Sequence, residues 1–364
     1  MLSHYDVVPA QADVWEKPPF DGVLENGVLW GRGTLDMKNQ LCSMLEAAEQ
    51  LLSEGFVPKH DLYFALSGEE EIMGPSAPAI RDLFVERGIT PAFVLDEGGD
   101  IMDGFYPGTT VPCAMVGIGE KGVANLDFVA KCAGGHASVP YPNNPLPRLC
   151  RAMSRIGRHP FSMHFGPALE AMTDTMGRYC DFRTRLLLAN RHLLRPFYFR
   201  WLRKQGGMIE AAACTTFALT QCQGSQAGNV IPAEASMFAN LRLLWGDTQE
   251  SVVRRLSQKI RDPQVEIHMR PGTDPGPDSQ LGPEFEKLRS AIEATWPQAV
   301  VSPYQMVACT DSRHWRSICD HVYRFSGKYV TGEEKSTVHG NNERIRVENT
   351  ENAIKFFIRL MRNC

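Results

Sequence analysis

The sequence predicts an α/β protein, a largely parallel mixed sheet with flanking helices, interrupted by an inserted ferredoxin-like α+β unit. Three observations carry this. Short apolar strands alternate with helical stretches in the N-terminal third, which is the signature of an α/β layer. From Gly117 the style changes to longer alternating strands in a β-α-β-β-α-β order. After the Pro/Gly-rich run Arg270–Pro277 the α/β style returns, so the second unit is inserted into the first. The expected boundaries are 1–117, 118–271 and 272–364.

Taken in order, Leu41, Met44, Leu45, Ala48, Leu51 and Leu52 recur at helical spacing and predict a helix over 37–53, stopped at Gly55. Asp61–Leu66 reads as a strand ending in the acidic turn Ser67–Glu71. Ser76–Arg87 is a second helix closed by Gly88, and Ala92–Leu95 a strand ending in Asp96-Glu97-Gly98-Gly99. In open α/β sheets, sites form at the carboxyl ends of strands, and the acidic residues fall there. In the insertion, Val123–Ala130, Thr215–Gln221, Ala235–Leu244 and Val265–Met269 read as strands, and Leu146–Ile156 and Thr248–Ile260 as helices. Residues 160–210 read as irregular. Glu284–Thr295 and Thr350–Arg362 are the closing helices.

The chain has 364 residues, 43% hydrophobic and 22% charged, which excludes a disordered or fibrous polypeptide. Its net charge of −4 gives no reason to expect a nucleic-acid partner. No apolar run approaches the roughly 18 residues of a membrane span. The opening residues lack a signal-peptide pattern. Ten scattered cysteines without C-x-x-C spacing read as reduced, mostly buried thiols, and together these features predict a cytoplasmic protein.

Five segments place histidine or acidic residues in turns: His4–Pro9, Gly31–Lys38, Ser67–Gly74, Leu95–Gly99 and Thr337–Glu343. Each is weak alone, but together they supply two imidazoles and several carboxylates, a ligand set suited to Zn²⁺.

These segments, in this order, resemble the co-catalytic zinc metallopeptidase family of aminoacylases, glutamate carboxypeptidase and succinyl-diaminopimelate desuccinylase. H-Y-D-V-V-P, W-G-R-G-T-L-D-M-K and T-D-S-R-H are most similar to its branch of Gly-X carboxypeptidases and N-acyl amino acid hydrolases. The resemblance covers essentially the whole chain. It implies a phosphorylase/hydrolase-like catalytic domain with an inserted lid and dimerisation domain. It implies two Zn²⁺ ions, replaceable by Co²⁺ or Mn²⁺, with Asp36 bridging them, His4 and Asp96 on one and Glu71 and His339 on the other. Glu70 matches the general base and Asp6 the carboxylate that orients His4. The Glu69–Glu71 triplet leaves open which residue ligates and which acts as base; the spacing to Gly74 favours Glu71 as ligand.

In the lid, Gly134–Ser138 matches the motif whose histidine, here His136, polarises the substrate carbonyl, often from a partner subunit. Asn229 matches a substrate-binding residue, with an ordinary turn asparagine as the competing reading. Arg313 offers a fork for a substrate carboxylate, or an ion pair with Asp311 or Asp320. Arg242 is a weaker candidate of the same kind. The basic-aromatic segment Arg195–Lys204 reads either as a membrane-surface or acyl-chain contact or as a helix packed into the lid or a dimer core.

The implied activity is hydrolysis of an amide next to a free carboxylate, in a short peptide or an N-acyl amino acid. Alternatives are a deacylase or desuccinylase of a biosynthetic intermediate, and a metal-binding but inactive protein. A homodimer through the lid is also implied. Because the sequence begins three residues before His4, the chain is expected to be an N-terminally shortened form. His4 is then expected on a fraying terminus, with weak binding of its metal.

Overall fold

The computed structural model describes residues 1–140 and 142–364, which divide into two units. The first comprises Met1–Gly119, Pro167–Tyr198 and Asp278–Cys364, the second Glu120–Gly166 and Phe199–Pro277. The segment 167–198, expected in the insertion, thus stands with the first unit.

In the first unit a sheet runs in the order Val300–Met306, Pro112–Glu120, Val322–Arg324, Val94–Asp96, with Ile101–Asp103 added against Pro112–Glu120. Val94–Asp96 pairs in parallel with Val322–Arg324, and Leu2–His4 in parallel with Ala65–Ser67. Pro112–Glu120 runs antiparallel to Val322–Arg324 and to Ile101–Asp103, so the sheet is more mixed than the sequence suggests. A small antiparallel sheet joins Val23–Glu25, Val28–Trp30 and Arg344–Arg346.

Three helices cover this layer because their apolar residues fall on one stripe. Asn39–Ser53 buries Met44, Ala47 and Leu51, Pro283–Thr295 buries Phe285, Leu288 and Ile292, and Val347–Asn363 buries Ala353, Phe356, Phe357 and Leu360. They meet Leu95, Val116, Tyr323 and Phe325 of the strands in one core. Each such fully buried side chain contributes roughly 1.5–3 kcal/mol. The Asp96–Gly99 turn lies against the neighbouring strand: a Cβ on Gly99 would stand 1.6 Å from the Met115 carbonyl oxygen, so only glycine fits.

Two expectations change here. The strand before the acidic turn is confined to Ala65–Ser67. His4 is not on a loose end: Leu2, Ser3 and His4 are buried in a paired strand, and the Met1 ammonium donates to the Tyr63 carbonyl at 2.8 Å.

The stretch read as irregular is helical, over Pro167–Met176, Phe182–Ala189, Arg195–Gln205 and Gly207–Ala211. Periodicity concealed it. Phe182–Ala189 carries leucines and a phenylalanine around its whole circumference, with Leu188 buried and Phe182 and Leu186 exposed, so no stripe stands out.

The second unit is a four-stranded antiparallel sheet in the order Thr216–Gln223, Glu234–Leu243, Gly122–Lys131, Val265–Thr273. In sequence terms this is strand order 2-3-1-4, the ferredoxin-like arrangement. Helices Pro145–Ile156 and Gln249–Ile260 bury Leu149, Ala152, Val252 and Leu256 against Leu126, Phe128, Leu241 and Leu243. The last strand continues to Thr273, into the run expected as linker. All ten cysteines are unpaired, but only four are buried (Cys113, Cys180, Cys214 and Cys319), fewer than expected.

Candidate metal centre

The centre forms in the first unit, where the parallel strand pairs end. His4 closes the strand Leu2–His4 beside Ser67, the last residue of its partner, and the chain after Ser67 makes the acidic turn. The His4 ring is held from both sides. Its Nδ1 meets Asp6 Oδ1 at 3.1 Å, while Nε2 faces Asp36 Oδ1 at 3.1 Å and Glu97 Oε1 at 3.5 Å. On the other side of Asp36, Oδ2 faces His339 Nε2 at 3.1 Å, and the same nitrogen lies 3.1 Å from Glu71 Oε2. Two clusters result, His4–Asp36–Glu97 and Asp36–Glu71–His339, each compact enough to hold one metal ion. Asp36 belongs to both and presents a different oxygen to each.

The donor set fits divalent metal ions. Ligand atoms about 2.0–2.1 Å from a tetrahedral Zn²⁺ lie about 3.3 Å from one another, close to the spacings found here. Glu71 Oε1 is buried without a hydrogen-bond partner, a carboxylate oxygen in need of a cation. Imidazole and carboxylate ligands suit Zn²⁺, and the pairing of His4 Nδ1 with Asp6 is the usual support for a metal-bound histidine.

One predicted ligand is corrected. Asp96 is not in either cluster. It ends the strand Val94–Asp96 facing inward, where Oδ2 accepts the Ser312 amide at 2.8 Å and Oδ1 the Glu97 amide at 2.9 Å. The next residue, Glu97, is the carboxylate that reaches His4, its Oε1 3.5 Å from Nε2. The signal was present in D-E-G-G, but the resemblance was carried over one residue too early.

The acidic triplet divides by hydrogen bonding. Glu69 Oε2 accepts the Ser76 amide at the start of helix Ser76–Glu86, at 3.1 Å, and is committed there. Asp6 accepts the amides of both Glu70 (3.3 Å) and Glu71 (3.1 Å), so the carboxylate that orients His4 also fixes the turn. Glu71 enters the second cluster, while among the described residues the Glu70 carboxylate has no ion-pair partner.

Two residues with no predicted role organise the rest. Glu343 is fully buried and accepts the amides of Gly33 (3.0 Å), Leu35 (2.7 Å) and Asp36 (3.1 Å). Arg32 donates to Glu343 at 2.6 Å and to the Gly340 carbonyl at 2.7 Å. This pair therefore sets the Asp36 loop and ties it to the His339 loop. Only its place next to the H-G-N-N motif marks Glu343 in the sequence.

Electrostatics follow from this crowding. Burial alone pulls the His4 imidazole down, but the bonds to Asp36 and Glu97 outweigh it and push it up to about 12. His339, bonded to Asp36 and Glu71, is raised to about 10. Asp36 is held well below the usual carboxylate range because its two histidines overcome its burial. Burial raises Glu97 well above that range, with the Asp36 charge adding. Burial lifts Glu70 to about 8; His4 opposes this, while Asp311, Asp96 and Asp36 reinforce it.

The other candidates make contacts of their own. Arg313 donates to its own Thr310 carbonyl at 2.7 Å and lies 3.8 Å from Asp311, largely buried. The competing ion-pair reading fits it better than a substrate-binding one. In the second unit, His136 and Asn229 come together where strands Gly135–His136 and Val230–Ile231 pair, and the Ala137 amide donates to the Asn229 carbonyl at 2.9 Å. His136 Nδ1 accepts the Ser138 amide at 3.2 Å, which leaves the ring proton on Nε2 as a donor. Arg242 lies in strand Glu234–Leu243, its Nε 3.2 Å from Asn240 Oδ1.

Comparison with known proteins identifies the family. Residues 1–363 match the model of peptidase family M20/M25/M40, and the chain belongs to that family. The N-fatty-acyl-amino acid synthase/hydrolase PM20D1 of Bos taurus is 35% identical, over all of this chain and 73% of the relative. A probable carboxypeptidase S-like protein of Dictyostelium discoideum is 33% identical, over all of this chain and 71% of the relative. Among solved structures, an M20 metallo-carboxypeptidase of Sulfolobus solfataricus shares the fold with a TM-score of 0.70 at 17% identity, covering 99% of this chain and 83% of that one. Human carnosine dipeptidase 1 does so with a TM-score of 0.65 at 15% identity, covering 100% and 79%. The chain is thus a peptidase or amidohydrolase of a family that includes dinuclear metal-binding members. Among the described residues no helix is long and apolar enough to cross a membrane.

Proposed function

We propose that this chain is a di-zinc hydrolase that cleaves the amide bond next to a free carboxylate in N-acyl amino acids or short peptides. The observation that carries the reading is Asp36, which offers one oxygen to a histidine–carboxylate cluster on each side. His4 and Glu97 would hold one ion, Glu71 and His339 the other, with Co²⁺ or Mn²⁺ as possible substitutes since this donor set discriminates weakly. A pair of bound divalent ions supplies Lewis acidity, lowering the pKa of water and polarising the scissile carbonyl. Glu70, next to a ligand but outside both clusters, takes the proton from the attacking water and passes it to the leaving amine nitrogen. His136, with its proton on Nε2, donates to the carbonyl oxygen as negative charge develops there. Asn229 and Arg242 are proposed to contact the substrate, and the second unit to serve as lid and dimerisation domain. The cattle and Dictyostelium relatives, an N-fatty-acyl-amino acid synthase/hydrolase and a probable carboxypeptidase, both fit an amide beside a carboxylate.

The test is a hydrolysis panel of N-acyl amino acids and dipeptides with zinc present, run on the unaltered chain and on Glu70→Gln. N-Acyl amino acids or dipeptides should be cleaved, and the variant should retain its metal while losing roughly 10²–10⁴ in rate. Metal loss by the variant would reassign Glu70 as a ligand. Turnover of succinylated intermediates alone would favour a desuccinylase.

A further inference from the structure

We propose that the helical stretch 178–197 of the first unit is a docking face for an anionic lipid bilayer. Two apolar pairs stand out from it. Phe182 and Leu186, one helical turn apart, are 76% and 54% exposed. Leu193 and Phe197, at the same spacing, are 82% and 66% exposed. The helical hydrogen bonds Leu194 N to Asn190 O and Tyr198 N to Leu194 O place this second pair on one face as well. A cluster of exposed large apolar side chains marks a surface that meets a partner.

The charges nearby indicate what covers them. Exposed Arg178, Arg183 and Arg185 stand among these apolar groups. Asp181, the one acid within 178–197, caps helix Phe182–Ala189 by accepting from the Arg183 and Thr184 amides. The nearby Asp174 and Glu170 are taken up by Arg191 and His192, which leaves Arg178, Arg183 and Arg185 without a carboxylate against them among the described residues. The stretch is therefore strongly basic within a chain of net charge −4. Exposed Phe and Leu among arginines is the composition of a surface that settles into the headgroup boundary of a bilayer. Phospholipid headgroups of negative charge would attract this face and repel the remainder, which orients the molecule. Two copies of the chain meeting through it would instead bring their arginines together.

The mount is fixed from below. Leu188 is buried and lies against Gly177, Arg191 pairs with Asp174 at 2.8 Å, and the Tyr198 hydroxyl bonds Thr173 at 2.9 Å. The exposed pairs thus project from a built support. None of the residues in this face belongs to the metal centre.

The experiment is co-sedimentation of the full chain with phosphatidylcholine vesicles, with and without phosphatidylserine, at low and high salt. The chain should sediment with the anionic vesicles at low salt and be released by high salt. Replacing Arg178 and Arg183 with Gln should weaken partitioning roughly 25-fold, about fivefold for each charge near the surface. Phe182→Ser with Phe197→Ser should weaken it about tenfold or more. Thermal unfolding of both variants should match the parent, and where the Ser variant melts early the Gln variant stands as the test. Absence of binding to either vesicle, equal binding to neutral vesicles, or unaltered binding by the variants would overturn the proposal. So would sedimentation velocity showing that the variants dissolve a dimer while vesicle binding is unchanged.

Discussion

His4 and His136 both end or nearly end short strands, in different units, and they are held in opposite ways. His4 is buried, with Asp6 on one ring nitrogen and Asp36 and Glu97 on the other, and its neighbours are fixed by further buried carboxylates. His136 is exposed on a two-residue strand, and its ring nitrogen is bonded only within its own loop, to Ser138. The first arrangement determines position at every atom, as a metal ligand requires. The second fixes a tautomer and leaves the ring free to meet whatever arrives. The contrast separates binding of the metal from handling of the substrate.

Substitutions can break that separation or sharpen it. The largest effect is expected at Asp36. Asp36→Ala should bring hydrolysis to background and lose both ions, whereas Glu97→Ala should lose one and Asp96→Asn neither. Elemental analysis of the purified variants checks this, and two retained ions in Asp36→Ala would remove the bridging role. His136→Ala should lower kcat about 10²–10³-fold, the cost of one donor to a developing oxyanion, with metal content unchanged. If the metal were lost too, the two regions would not be independent. Mixing His136→Ala with Glu70→Gln subunits tests whether His136 serves a partner copy, since recovered activity requires it. Asp6→Asn should weaken metal binding about 10–100-fold, the usual effect of removing support behind a liganding histidine. Competition with a chelator measures it. The smallest signal is in protons. In the metal-free protein His4 and His339 are raised to about 12 and about 10, so both are protonated at neutral pH. A metal ion displaces these protons, so at pH 7 binding should release one from each imidazole, and apparent affinity should rise steeply with pH to about 10 and more gently above it, where only His4 is still protonated. Calorimetry in buffers of different ionisation heat counts them.

The sequence made the centre legible because its ligands sit in short turns whose residue types have few other uses. H-x-D and the acidic triplet each announced a strand end, the late H-G lies in the turn after helix Gly332–Ser336, and the structure brings His4, Asp36, Glu71 and His339 together. Asp96 was expected where Glu97 stands, since in adjacent carboxylates only the backbone amides that each accepts decide which is left to meet His4, and Asp96 takes those of Glu97 and Ser312. Arg32 and Glu343 were silent: a buried ion pair depends on two segments meeting in space. Helix Phe182–Ala189 was hidden by apolar residues around its circumference, and the parallel character of the sheet was overstated because the antiparallel strands Ile101–Asp103 and Pro112–Glu120 follow no helix.

The Arg32–Glu343 pair joins residues 311 positions apart, and this has a consequence for synthesis. At about 5–20 residues per second, some 15–60 s separate the emergence of the Asp36 loop from that of the carboxylate that receives its amides. For most of that interval the nascent chain carries His4, Asp36, Glu71 and Glu97 but lacks both His339 and the strut beneath the bridging aspartate. The centre is therefore completed late in translation, and a ribosome that stops early releases a product that cannot assemble both clusters.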